Sequence, residues 1–176
     1  MAALKLRLQK SSLPKNELTE VLKIVDKASD DTRNISHNLM PPEFEQTNLE
    51  SLLIAYYNRL NTESDVRFHF HCMGYKNIFG KEKELIIYRI LMELTNNILK
   101  HANAGEATIQ LIYFEKYLEM MCEDNGIGMV DKKTDGIGLN NINSRVSYIK
   151  GEIKIDTTQS GTTIIIKIPY NKNTNE

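Results

Sequence analysis

Four polar side chains in the stretch ELTNNILKHA could act together: Glu93, Asn97, Lys100 and His101. On an α-helix advancing about 100° per residue, the last three fall within about 80° of Glu93, so all four share one face. A carboxylate and an amide oxygen one turn apart can hold a hard cation or its waters. Magnesium takes few protein ligands when it also binds phosphate oxygens. Lys100 adds positive charge to the same face, and the set has the chemistry that a magnesium nucleoside triphosphate requires. A solvated face of an amphipathic helix is the plainer account. Ile86 and Ile90 weaken it, because they fall inside the polar stripe and predict the floor of a partly closed pocket.

Two glycine-punctuated loops supply further candidates. EDNGIGM follows a strand-like run, so Asp124 is expected at a sheet end, with Gly126 and Gly128 letting the backbone come close to a ligand. A carboxylate there could accept a hydrogen bond from an exocyclic amine. DGIGLNNINSRV repeats the spacing at Gly136 and Gly138 and opens a helix, whose N-terminal amides and dipole favour phosphate. Each GxG alone is also an ordinary turn. No GxxxxGK[ST] loop is present, which excludes a P-loop site.

The elements that must hold these residues are legible in the hydrophobic pattern. Leu18, Val21, Val25, Ala28, Ile35 and Leu39 recur at alternating three and four spacing, as in a coiled-coil seam, until Pro41 and Pro42 end the helix. TNLESLLIAYYNRLN then begins another helix with Thr47 or Asn48 as cap. ALKLRLQK, near the start, reads as the tail of an earlier helix. Beyond Asp65 the texture changes. VRFHFHCM, EATIQLIYF, KYLEMMCED, EIKIDTT and GTTIIIKIP read as strands, and KEKELIIYRILMELTNNILKHA and about Leu139 to Ile149 as helices. On the long helix Ile87, Leu91, Leu94, Ile98 and Ala102 form the buried side, extended by Met92 and Leu99. The mixture predicts an α+β chain: a helical hairpin remnant over 1–62, then a two-layer α/β sandwich over 63–176, a usual domain size.

Composition narrows the classes. Lys plus Arg (22) nearly balance Asp plus Glu (23), so no basic field argues for a direct nucleic-acid partner. No apolar run of about 18 residues suggests a membrane span. Cys72 and Cys122 have no CxxC spacing and are expected to be buried thiols in a reducing compartment. His69 and His71 share one strand face; without a third ligand an exposed face is expected rather than a metal site.

ELTNNILKHA, DNGIGM, DGIGL and GTT occur in the order of the N, G1, G2 and terminal boxes of the GHKL, or Bergerat, ATP-binding fold. From about Val66 to Pro169 the chain resembles the catalytic domain of sensor histidine kinases that signal to response regulators of the LuxR or NarL type. The resemblance implies a cytoplasmic kinase core with ATP and Mg²⁺ as cofactors, a dimer in the full-length protein, and a parent that could be membrane-anchored. It implies that Glu93 polarises the acceptor, that Asn97 is the metal ligand, and that Lys100 and His101 lie near the phosphates. Asp124 would bind the adenine amino group, Gly126 and Gly128 would shape the base pocket, and Thr162 would support it. Gly136 and Gly138 would hinge a lid spanning Ile127 to Asp135, made basic by Lys132 and Lys133.

His37 is the tempting phosphoacceptor, since a histidine kinase needs an imidazole nucleophile. The acceptor of the class sits in a pattern like RxxHD, whereas Asn38 follows His37 and cannot serve as a base. Pro41 and Pro42 then stop the helix. NISHNLMPPEF resembles instead the end of the second helix of the dimerisation and phosphotransfer region, which puts the expected acceptor upstream of Met1 and makes the chain a fragment. The family's DxxxQ phosphatase stretch is absent. Other readings are a GHKL serine kinase or ATPase, and a non-catalytic dimerisation module gated by nucleotide.

Overall fold

The structure, a computed structural model, describes residues 20–22, 47–74, 79–129 and 137–170. Met1–Pro42 and Glu43–Glu176 form two compact units. In the first, Glu20, Val21 and Leu22 are helical. The rest of the expected seam, His37 with Asn38, and the proline pair lie outside the described residues.

The second unit starts upstream of the expected boundary at 62/63, because helix α1 (Leu49–Glu63) packs into it. Asn48 caps α1, its Oδ1 accepting the Ser51 N–H at 2.8 Å. Leu49, Leu53, Tyr56 and Tyr57 recur at helical spacing and bury one face of α1. Tyr57 lies against Phe68 and Phe70 of strand β1 (Arg67–Gly74), with ring centroids 5.6 and 5.4 Å away. Asn61 then ties α1 to β1 through both backbone groups of Phe68: Nδ2 donates to its oxygen at 2.9 Å and Oδ1 accepts its N–H at 2.7 Å. Burying a large apolar side chain stabilises by roughly 1.5–3 kcal/mol, so the burial of Leu53 and Tyr57 adds to the Asn61 hydrogen bonds in keeping α1 packed in this unit.

Helix α2 (Lys81–Asn97) continues into a π-helical turn (Ile98–Ala102), which ends at Asn103 in the left-handed conformation. Strands β2 (Glu106–Tyr113) and β3 (Tyr117–Asp124), helix α3 (Ile137–Tyr148), and strands β4 (Glu152–Thr158) and β5 (Gly161–Pro169) follow. The five strands make one sheet in the order β1-β2-β3-β5-β4. β1 and β2 pair in parallel across the α2 crossover, and every other pair is antiparallel. One sheet face carries Phe68, Ile109, Leu111, Leu118, Met120, Ile166 and Ile168, all buried. The other carries His69, His71, Glu123, Lys154 and Lys167, all exposed, so the helices cover one face and the fold is the expected two-layer sandwich.

α2 is buried over most of its circumference, with Leu85 to Tyr88, Ile90, Leu91, Met92, Leu94 and Thr95 all inside. A helix apolar on nearly all sides must be covered on both, and here the sheet lies on one side and α3 packs on another. Ile86 and Ile90 therefore sit in the core, at 9% and 0% exposure, rather than forming a pocket floor. Thr95, fully buried, has its hydroxyl satisfied by Leu91 O at 2.8 Å and Tyr57 Oη at 3.1 Å. Among the described residues no helix is long and apolar enough to cross a membrane.

Candidate functional site

The ladder builds one wall of the site. Asp124 ends β3 beside Thr162 of β5, and two residues inward Cys122 pairs with Ile164. Alternation with period two turns these four toward the helices, where they line a cavity of about 330 Å³. Such a volume suits a small-molecule site. Asp124 is only 9% exposed, and its Oδ1 accepts the Gly126 N–H at 2.9 Å, which fixes the carboxylate at the wall. Burial, reinforced by the neighbouring Asp124 charge, pushes the Cys122 thiol up to about 12. Cys122 thus remains a neutral, space-filling group at physiological pH.

The first glycine loop is seated by backbone contact. The Ile127 N–H donates to Ala102 O at 2.8 Å, and Asn125 Oδ1 accepts the N–H groups of Gly105 and Glu106, each at 2.9 Å. A Cβ on Gly126 would collide with the Ala102 carbonyl. Gly128 has φ +69°, which favours glycine, and a Cβ there would collide with Thr158 O. Next to it the Met129 N–H donates to Thr157 Oγ1 at 2.8 Å, and Thr157 Oγ1 lies 3.3 Å from Thr162 Oγ1. Residues 127–129 thereby form a second cavity wall, latched to the β4–β5 hairpin.

The helix supplies the third wall through Leu94, Asn97, Ile98, His101 and Ala102. Here the π turn matters. An i→i+5 turn is wider than an α turn, so each residue advances by less than 100° and His101 swings back toward Asn97. Lys100 lies outside the lining, and Leu99 is 36% exposed, although it was expected to extend the buried side. Glu93, one turn before Asn97, also lies outside the cavity lining. It faces Gly138 near the start of α3, where a Cβ would lie 2.7 Å from Glu93 Oε1 and 3.4 Å from Asn97 Oδ1.

The expected site residues therefore fall into two neighbouring groups. Asp124, Gly128, Thr162, Asn97 and His101 line the cavity, with Gly126 holding its loop; Glu93, Asn97 and Gly138 meet beside it. Asn97 belongs to both. Gly136, Lys132 and Lys133 lie outside the described residues. Cys122 and Ile164 were not expected in the lining, although the strand alternation through Asp124 and Thr162 points to them. Thr157 and Met129 carried no local signal, since their link depends on a contact across 28 residues. His69 and His71 are exposed on β1.

The donor set fits a magnesium nucleotide. A buried carboxylate beside a hydroxyl suits the polar edge of a base, and the apolar walls suit its ring. An amide and an imidazole at the open side suit phosphates.

Comparison with known proteins agrees with this geometry. Residues 82–172, just over half of the chain, match the family described as histidine kinase-, DNA gyrase B-, and HSP90-like ATPase. The oxygen sensor histidine kinase NreB of Staphylococcus carnosus is 27% identical over 172 residues, covering 93% of this chain and 50% of that protein. The signal transduction histidine-protein kinase/phosphatase DegS of Brevibacillus brevis is 27% identical over 156 residues, covering 87% of this chain and 40% of its own. The chain thus spans half or less of the length of these relatives. Among solved structures, the blue-light activated histidine kinase of Erythrobacter litoralis EL346 superposes with a TM-score of 0.65 at 17% identity, over 88% of this chain and 52% of that one. At that identity the likeness speaks for the fold.

Proposed function

The chain belongs to the histidine kinase-, DNA gyrase B-, and HSP90-like ATPase family, and from that premise we propose that it is the Mg-ATP-binding part of a sensor histidine kinase. In this reading 63–176 is the catalytic domain and 1–62 contributes to a dimerisation and phosphotransfer region. The γ-phosphoryl passes to a histidine and then to a response regulator of the LuxR or NarL type. The full-length protein works as a homodimer with this part in the cytoplasm.

What carries the reading is the cavity itself: Asp124 and Thr162 on one wall, Asn97 and His101 on the other, all lining one space. Asp124 accepts the exocyclic amine of the base, and the apolar walls between Ile98 and Met129 hold its ring. Asn97 would hold Mg²⁺ through its amide oxygen, and the ion would supply positive charge to the phosphate oxygens. His101 and the first turn of α3 at Gly138 stand at the phosphate end, where helix amides favour anions. Glu93, next to Asn97 and Gly138, is positioned to polarise an incoming acceptor. Phosphoryl transfer depends mostly on such positioning and charge neutralisation, so no nucleophile is required within the cavity. The acceptor is a histidine other than His37, because Asn38 cannot take the place of an acidic neighbour.

Isothermal titration of the chain with ATP, with Mg²⁺ and then with EDTA, tests the reading. Saturable binding strengthened by Mg²⁺ is expected, and a wild-type chain that binds no adenine nucleotide would sink it. Incubation with γ-labelled ATP is expected to leave His37 without acid-labile phosphate.

A further inference from the structure

Thr157 lies one strand beyond the residues that line the cavity, yet it is joined to both of the walls that β5 and the first glycine loop provide. Its Oγ1 accepts the Met129 N–H at 2.8 Å and stands 3.3 Å from Thr162 Oγ1. A hydroxyl has one proton to give and two lone pairs to receive. With the Met129 amide occupying one lone pair, Thr157 can donate its own proton to Thr162 Oγ1 at 3.3 Å. A Thr162 that accepts this proton turns its own O–H elsewhere, and it is 7% exposed on the cavity lining.

We propose that Thr157 is a positioning residue for base selectivity: through the relay from Met129 N–H to Thr157 to Thr162 it sets the Thr162 hydroxyl to donate into the cavity. The proposal rests on the nucleotide reading given above. Its consequence is a fixed polarity along one wall. Asp124, a carboxylate, accepts; Thr162, held by Thr157, donates, directly or through a water. An adenine edge presents an amino donor beside a ring-nitrogen acceptor, which complements that order. A guanine edge presents a carbonyl acceptor beside an N–H donor, which opposes it at both positions, and opposed polar groups in a desolvated site are left unpaired.

The loop wall follows from the same contact. Gly128 and Met129 can lie against β4 because Thr157 receives the amide there, and a Cβ on Gly128 would come within 2.9 Å of Thr157 Oγ1. Thr157 touches no ligand in this scheme. It acts through Thr162 and through the 127–129 backbone.

The test is the ratio of ATP to GTP affinity, measured by titration in Mg²⁺ on the full chain, for Thr157→Val and Thr157→Ser. Valine keeps the shape and removes the relay; serine keeps the relay. Thr157→Val is expected to lose about tenfold in ATP affinity, the scale of one net hydrogen bond, while GTP binding holds or improves. Thr157→Ser is expected to stay within about twofold of wild type in the ratio. Should the valine chain lack a cooperative thermal transition, Thr157→Ala takes its place. Equal weakening of both nucleotides, or an unchanged ratio in the valine and alanine chains, overturns the proposal and leaves ATP binding standing. A wild-type chain that binds neither nucleotide removes the underlying reading as well.

Discussion

Around Asp124 the chain meets itself backbone to backbone, with Gly126 against the Ala102 carbonyl and Gly128 against that of Thr158. Around Glu93 and Asn97 the neighbour of Gly138 is the far end of a carboxylate and of an amide. The first arrangement cannot yield without moving a strand or the π turn; the second yields by rotating a side chain. On the proposed nucleotide reading, the end that would take the base is thus preformed by the fold. The end that would take the phosphates is built from adjustable groups, as would suit a region receiving a cation, phosphates and an acceptor in turn.

The comparison can be broken most forcefully at Gly126. Gly126→Ala drives a methyl into the Ala102 carbonyl and is expected to cost about 2–3 kcal/mol in urea unfolding, with ATP binding lost alongside. A wild-type midpoint would mean that the base end is as yielding as the other. Next comes Asp124→Ala, which removes a charged acceptor and the partner of the Gly126 N–H but leaves the loop's Ile127–Ala102 and Asn125 contacts in place. About 30-fold weaker ATP binding is expected with the fold intact; undiminished affinity in titration would take Asp124 out of the site. Asn97→Ala should weaken binding about tenfold in Mg²⁺ and leave the EDTA value unchanged. A loss of equal size under both conditions would make Asn97 a wall residue rather than a metal ligand. The smallest effect is expected at Gly138→Ala, within about 1 kcal/mol in thermal unfolding, because Glu93 can swing aside and alanine favours the helix. Destabilisation as large as at Gly126 would erase the contrast between the two ends.

Much of this architecture could be read from the sequence, and the exceptions share a cause. The strands and helices follow from period-two and period-3.6 patterns that are local. Asp124 could be placed at a sheet end because a strand followed by glycines has few other fates, whereas Thr162 was singled out by the resemblance of GTT to the terminal box. The helical wheel, drawn at ordinary α pitch, could not announce the π turn over Ile98–Ala102, and Leu99, expected on the buried side, is 36% exposed. The limit between the two units is a similar case. α1 looks in sequence like a continuation of the preceding helices, and only the grip of Asn61 on Phe68 and of Tyr57 on β1 assigns it to the sheet. Thr157 was silent because its partners come from a loop and a strand brought together by folding.

The π turn also constrains what changes the chain can tolerate in length. Ile98–Ala102 accommodates its residues in a widened turn so that the Ala102 carbonyl arrives where the Ile127 amide and the bare Gly126 need it. A turn closed by i→i+5 bonds holds about one residue more than a turn closed by i→i+4 bonds, so removing one residue from this span would let the helix close to its ordinary pitch with the flanking segments kept in phase. Asn103 and β2 would still meet the sheet. Single-residue deletions within 98–102 should therefore be accepted in a selection that rejects single-residue deletions earlier in α2, where no extra residue is held.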